Sequence, residues 1–158
     1  MIISFTPLSL SFAQQIPAPD FAISNSQLPD TLSALKGQVV YLDFWASWCK
    51  PCRKSFPWMN QMQQMQQMQQ KYAEQGLKII AINLDAEKAL AKTFLDKVPA
   101  HIPIIYDPEA NIARDYQLLG MPSSYLIDKK GNIRFSHKGF FTRKEPLYEQ
   151  ELVLLLNV

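Results

Sequence analysis

Two cysteines separated by two residues, Cys49 and Cys52 in Trp48-Cys49-Lys50-Pro51-Cys52, are the only thiols in the 158-residue chain. This spacing suits thiol–disulfide exchange: one sulfur attacks a disulfide as a thiolate, and the other lies within reach to resolve the mixed disulfide. Placed where a helix opens, Cys49 lies at the positive end of the helix dipole, which favours its thiolate form. Cys52 then follows about one turn inside. Pro51 suits a first helical turn, where its missing N–H leaves no hydrogen bond unmade, and Trp48 offers an aromatic wall beside the nucleophile. A further group with acid–base potential is Asp43, six residues before Cys49 in an otherwise apolar run. Buried there, it would be desolvated with a raised pKa, able to exchange protons near neutral pH. At the strand end it could instead reach solvent or cap a loop.

A zinc site is the competing use of such a pair, but structural zinc takes about four ligands. Only His101 and His137 could complete it, both in distant segments where they read as surface or packing residues. No metal and no cofactor is expected. A peroxide-reactive cysteine would want a Thr-rich loop ahead of it, and Ala46-Ser47-Trp48 supplies no Thr. The pair closes too small a ring to staple a fold. With 47% hydrophobic and 19% charged residues the composition is that of an ordinary globular protein, and the length suits one domain. The net charge is +2. With Lys and Arg scattered along the chain, this makes no case for nucleic acid.

The elements that would position these residues follow from the apolar pattern. Val39 to Trp45 (VVYLDFW) suits a strand buried on both faces. A helix is expected from about Pro51 to Gln75, ended by Gly76. Leu77 to Leu84 forms a second buried strand, Ala86 to Val98 a helix, Ile104 to Tyr106 a brief strand and Pro108 to Tyr116 a short helix. Ser124 to Ile127 and Ile133 to Lys138, joined at Asp128-Lys129-Lys130-Gly131-Asn132, read as an antiparallel hairpin. A last helix runs from about Lys144 to Leu156. The order gives an α/β fold, a mixed central sheet flanked by helices. Gln14 to Asp30, rich in Pro, Ser and Asn, reads as an extended lead-in.

Two segments stand apart. Met62-Gln63-Gln64, Met65-Gln66-Gln67 and Met68-Gln69-Gln70 are identical triplets inside the long helix. A period of three drifts about 60° per triplet against 3.6, so the Met stripe, led by Met59, winds around the helix. It reads as a lengthened helix whose Met residues partly cover the core. A Cu(I) thioether site and a partner-binding Met surface stay open, the latter making the chain a binding module whose thiols idle. At the other end, residues 1–13 are apolar and uncharged and close on Ser11-Phe12-Ala13, the pattern of a signal-peptide remnant. A chain starting at Gln14 would then work outside the cytoplasm, where disulfides persist. No Lys or Arg precedes the apolar run, so either the true start lies upstream or the signal is degraded. No cysteine follows it, and no lipid anchor is expected there.

FWASWCKPC followed by Pro57, with GMPSSYLID from Gly120 to Asp128, resembles the thioredoxin superfamily, and most of all the TlpA/ResA-like branch of exported bacterial thiol–disulfide oxidoreductases. The resemblance covers roughly Pro17 to the C-terminus. It implies a thioredoxin-like fold over residues 14–158 with a Cys49–Cys52 disulfide, and beside that family the helix after the Cys pair is unusually long. Pro122 is then a cis proline facing the disulfide, and Met121 offers backbone groups to an extended substrate. From the residues alone, Pro122 marks only a turn before a strand. Asp43 matches the buried acid that assists proton transfer at the second cysteine. The resemblance also implies a reductant of protein disulfides in the bacterial periplasm, with apocytochrome c during haem attachment as a candidate substrate and a thiol electron donor in the membrane. A disulfide oxidant or isomerase is the alternative, and a monomer is expected. Three departures stand out. Ser55 occupies a position often held by Glu in this branch, and the lysine neighbouring the buried acid is absent from IIAINL. The helix is about six residues longer, and two extra triplets add close to 9 Å and about 240° of rotation.

Overall fold

Val39–Trp45 forms β2, the centre of a six-stranded sheet, and all seven of its residues are buried. The computed structural model describes residues 15–69 and 76–158, with side chains in the first helix described as far as Gln63. The expected signal remnant at residues 1–13, the end of the long helix at residues 70–75 and the side chains of Met65 and Met68 lie outside the described residues. In chain order the elements are β1 (Ile16–Pro17), β2, α1 (Cys52–Gln69), β3 (Leu77–Asn83), α2 (Lys88–Lys97), β4 (Ile104–Tyr106), α3 (Asn111–Asp115), β5 (Ser123–Ile127), β6 (Asn132–Lys138) and α4 (Glu145–Leu156). The strands lie in the order β1-β6-β5-β2-β3-β4. β2, β3 and β4 are parallel, and β5 and β6 return antiparallel, so the sheet is mixed, as the hairpin pattern requires.

Period-two alternation along β2 divides the core in two. Val39, Tyr41 and Trp45 point to the face covered by α1, α2 and α4. Val40, Leu42 and Phe44 point to the other, covered by the lead-in and α3. On the first face Trp45 packs edge-on to Phe56 of α1 with ring centroids 4.8 Å apart, and lies 4.9 Å from Phe94 of α2. Trp58 of α1 packs on Tyr41 and on Tyr148 of α4. Each of these side chains contributes about 2–3 kcal/mol by leaving water. Together they fix the start of α1 against the end of β2, which is where the Cys pair sits. Met59 and Met62 are buried in the same cluster, while Pro57 breaks the hydrogen-bond ladder inside α1 because it has no N–H for the Arg53 carbonyl.

The lead-in holds more structure than an extended strap. Ile16 and Pro17 pair with Ile133 and Asn132 of β6, Ala22 bridges Thr31, and Ser33–Leu35 makes a 3-10 turn. Ile23, Leu28, Leu32 and Leu35 are buried against the second face. Helix ends also fall inside their expected bounds. α3 spans only Asn111–Asp115 because the buried Asp107 accepts from the Asn111 and Ala113 amides, capping the helix from four residues upstream. The β5–β6 turn is closed by Asp128, whose Oδ1 accepts from the Lys130 and Asn132 amides. Lys129 in that turn donates to the Leu156 and Val158 carbonyls and holds the end of α4. Among the described residues no helix is long and apolar enough to cross a membrane.

Candidate active site

β2 ends at Trp45, and after a six-residue connection, residues 46–51, the chain enters α1. Cys49 lies in this connection, its amide donating to the Ala46 carbonyl at 3.1 Å, and Cys52 is the first residue of α1. Their sulfurs are joined in a disulfide with the Cα atoms 5.4 Å apart. Cys52 is fully buried and Cys49 nearly so, with 4% of its surface exposed, so Cys49 is the less enclosed of the two. The amides of Arg53 and Lys54 are taken by the Lys50 and Pro51 carbonyls, which winds the first turn directly beneath Cys49. Trp48 stands beside it with 69% of its surface exposed, a large apolar area left in water next to the disulfide.

The connection is anchored by Asp85, a residue the sequence reading did not single out. Its carboxylate accepts from the Ser47 amide at 2.9 Å, the Ser47 hydroxyl at 2.6 Å and the Asn83 side-chain amide at 2.8 Å. Asp85 is buried, and a buried carboxylate with three donors sits far better than one left bare. The anchor therefore ties the segment ahead of Cys49 to the end of β3. The one sequence signal was an acid directly after a buried strand, in Asn83-Leu84-Asp85.

Asp43 is on the α1 face of β2, between Ala81 of β3 and Ser124 of β5, and is buried. Desolvation pushes its carboxyl well above the usual carboxylate range. Its Oδ2 has no hydrogen-bond partner among the described residues, and Ala81 brings no cation to it from β3. The carboxyl is thus stabilised in its neutral form. Tyr41, two residues earlier on the same face, also has its pKa raised, first by burial and then by the Asp43 charge. Ser55, fully buried, donates through Oγ to the Cys52 carbonyl at 3.0 Å. It tightens the first turn of α1.

The start of β5 lies at the same end of the sheet as the Cys pair. The Met121–Pro122 peptide is cis. Ser123 pairs with Phe44 across the sheet, which brings Pro122 to the same end as Cys49. The Pro122 carbonyl accepts from the Gly139 amide at 2.7 Å, and Ser123 Oγ donates to the Gly120 carbonyl at 2.7 Å. Met121 is half-buried and packs against both core clusters. His101 and His137 are held elsewhere. The His101 amide donates to Asn60, and the His137 ring is bonded to Glu151 at 2.6 Å. Among the described residues no group of three or more His, Cys, Asp or Glu side chains is placed to hold a metal ion.

Comparison with known proteins fits this geometry. Residues 15–136 match the model of the AhpC/TSA family. The thiol–disulfide oxidoreductase ResA of Bacillus thuringiensis subsp. konkukian is 33% identical over 129 residues, covering 81% of this chain and 71% of the relative. The thioredoxin-like protein YneN of Bacillus subtilis is 38% identical over 141 residues, covering 87% of this chain and 77% of its own. Among solved structures, a protein assigned as the thiol:disulfide interchange protein DsbE from Chlorobium tepidum superposes with a TM-score of 0.81 at 44% identity. That superposition covers 92% of this chain and 99% of that one. The chain therefore belongs to the AhpC/TSA family, and its thioredoxin-like fold and bonded Cys pair make it a thiol–disulfide oxidoreductase of the ResA-like kind.

Proposed function

We propose that this oxidoreductase works outside the cytoplasm, in the bacterial periplasm, as a monomeric reductant of protein disulfides, with the Cys-x-x-Cys disulfide of apocytochrome c during haem attachment among its substrates. In the reduced enzyme the Cys49 thiolate attacks one sulfur of the substrate disulfide. A Cys49–substrate disulfide forms and the other substrate sulfur leaves as a thiolate. Cys52 then loses its proton and attacks Cys49; the second substrate sulfur leaves, and Cys49–Cys52 closes. Two electrons pass to the substrate, and a membrane-bound thiol donor restores the dithiol. Asp43 accepts the Cys52 proton when its carboxyl is ionised, and the raised pKa makes that carboxylate a stronger base than an exposed one. Pro122 and Met121 line the substrate strand with backbone groups, Trp48 covers its side chains, and Pro51 holds the first turn of α1. The observation that carries this reading is the asymmetry of the pair: Cys49 is the less enclosed sulfur, next to the exposed Trp48, while Cys52 is fully buried on the face that holds Asp43.

The test is the reduction potential of the Cys49–Cys52 couple, measured in glutathione or dithiothreitol buffers with tryptophan fluorescence as readout. A potential near that of thioredoxin, about −270 mV, supports the reductant. A value near the strong periplasmic oxidants, about −120 mV, makes the protein a disulfide donor. Absence of any reversible couple would mean that the thiols idle and the fold serves as a binding module.

A further inference from the structure

Lys and Arg residues that are scattered along the sequence are gathered by the fold around the disulfide. Three segments meet at this end of the sheet: residues 46–58, from the end of β2 into α1; residues 117–123, leading into β5; and residues 136–144, from β6 to the start of α4. The register brings them together, since Ser123 faces both Phe44 and Lys138 and the Gly139 amide bonds the Pro122 carbonyl. They carry Lys50, Arg53, Lys54, Lys138, Arg143 and Lys144, and none of the fourteen Asp and Glu residues of the chain. All six cations are exposed. Among the described residues the ion pairs are Arg134–Asp128 and His137–Glu151, so none of the six is neutralised by a carboxylate of those residues. Several are steadied on aromatic rings instead. Arg143 and Lys144 lie over Phe141 at 5.6 and 5.3 Å, and Arg53 lies 6.0 Å from the Phe94 centroid.

The apolar side chains left exposed at this end are Trp48 and Leu119, 69% and 78% exposed, and Phe141 at 44%. An apolar surface next to the reactive sulfur, ringed by unpaired cations, has the form of a contact with a hydrophobic centre and a charged rim. The acids at the same end of the sheet are mostly elsewhere. Asp85 and Asp107 are buried and engaged with amide and hydroxyl donors, Glu87 and Glu109 lie on the β3–β4 side, and Glu151 is taken up by His137. Glu145, at the first turn of α4 beside Lys144, is the one carboxylate among the described residues that borders the rim.

We infer that this rim selects protein substrates whose disulfide is flanked by acidic residues, the Asp and Glu side chains meeting Lys138, Arg143 and Lys144 on one side and Lys50, Arg53 and Lys54 on the other. The inference rests on the oxidoreductase reading and adds to it the kind of substrate. Rim charges of this sort act mainly on the association rate and on the choice of partner, and salt weakens them. Six exposed cations against one bordering carboxylate, Glu145, leave the approach to Cys49 net positive, so an acidic flank speeds encounter and a basic flank slows it.

The experiment uses the full chain in its reduced form and two synthetic peptides with the same intramolecular disulfide, one flanked by Asp and Glu, the other by Lys. Neutral 2-hydroxyethyl disulfide serves as the third oxidant. The rate constant of the acidic peptide is expected to exceed that of the basic one by about tenfold at low ionic strength, where the Debye length is about 30 Å. The ratio should collapse towards unity near 1 M salt, where that length is about 3 Å. The triple variant K138E/R143E/K144E should reverse the preference. The triple variant K36E/K78E/K130E makes the same change in total charge at the opposite end of the sheet and should keep it. Equal rates for the two peptides in the wild-type chain at low salt, with 2-hydroxyethyl disulfide still reduced, would overturn the rim and leave the oxidoreductase standing. A preference that follows total charge alike in both triple variants would overturn it too. Failure to reduce any of the three disulfides would overturn the reading beneath it. Equal rates in the salt series on the wild-type chain overturn the rim even if a variant does not fold, and changes to Gln at the same positions replace a charge-reversal variant that fails to fold.

Discussion

Replacing Asp43 with Asn should stabilise the fold while slowing the enzyme, two effects of opposite sign from one group. Folding buries the carboxyl and raises its pKa, so the folded chain keeps a proton that the unfolded chain releases above about pH 4. The stability this contributes is complete below that value. It is lost as pH rises towards the folded pKa, at about 1.4 kcal/mol per pH unit. For a domain of this length that slope corresponds to roughly 3–5 °C in Tm per pH unit. Tyr41, raised by the same burial, stays protonated in both states below about pH 9 and adds nothing to the slope. The Asn variant cannot ionise, so this part of the slope vanishes and the variant melts above the wild type at neutral pH. Its single-turnover closure of Cys49–Cys52 on a preformed mixed disulfide should slow by about 10²-fold, the low end of general acid–base contributions. Thermal melts of the oxidised proteins from about pH 5 to pH 8, followed by stopped-flow fluorescence, give both numbers. A variant with the wild-type dependence of Tm on pH, or one that melts below the wild type at the alkaline end, would refute the argument from burial.

Other outcomes follow from the geometry. Cys52→Ser should accumulate a Cys49–substrate disulfide, visible as an adduct by intact-mass spectrometry, whereas Cys49→Ser should form none and reduce nothing. Asp85→Ala leaves the Ser47 amide, the Ser47 hydroxyl and the Asn83 side-chain amide without their acceptor. It should cost about 2–4 kcal/mol in urea unfolding, and the loosened segment ahead of Cys49 should lower the reduction rate as well.

What was legible in the sequence was whatever lies in continuous runs. VVYLDFW and the Gly/Asn turn after Ile127 are local patterns, and they gave the central strand and the hairpin nearly to the residue. The Cys pair was legible because its chemistry is written in one short segment. The lead-in was read as an extended strap because its Pro and Ser content hides the burial of Ile23, Leu28 and Leu32, which show no regular period. Local pattern showed Asp85 only as an acid after a buried strand; its role was hidden because its partner Ser47 lies 38 positions away. The cation rim is likewise a product of register: residues far apart in the chain become neighbours only because β5 lies between β2 and β6. His137 lies in β6 as expected, but its partner Glu151 came only with the packing of α4 on the sheet.

The bond from Lys129 to the carbonyls of Leu156 and Val158 has a practical consequence for handling the protein. It pins the final residues beside the β5–β6 turn, and β5 runs its length between that turn and the disulfide. A linker joined at Val158 therefore emerges from the pole opposite Cys49. Protein immobilised on a bead or sensor chip through such a linker would present its reactive sulfur to the flowing solution, with the sheet standing as a spacer between the support and the incoming disulfide.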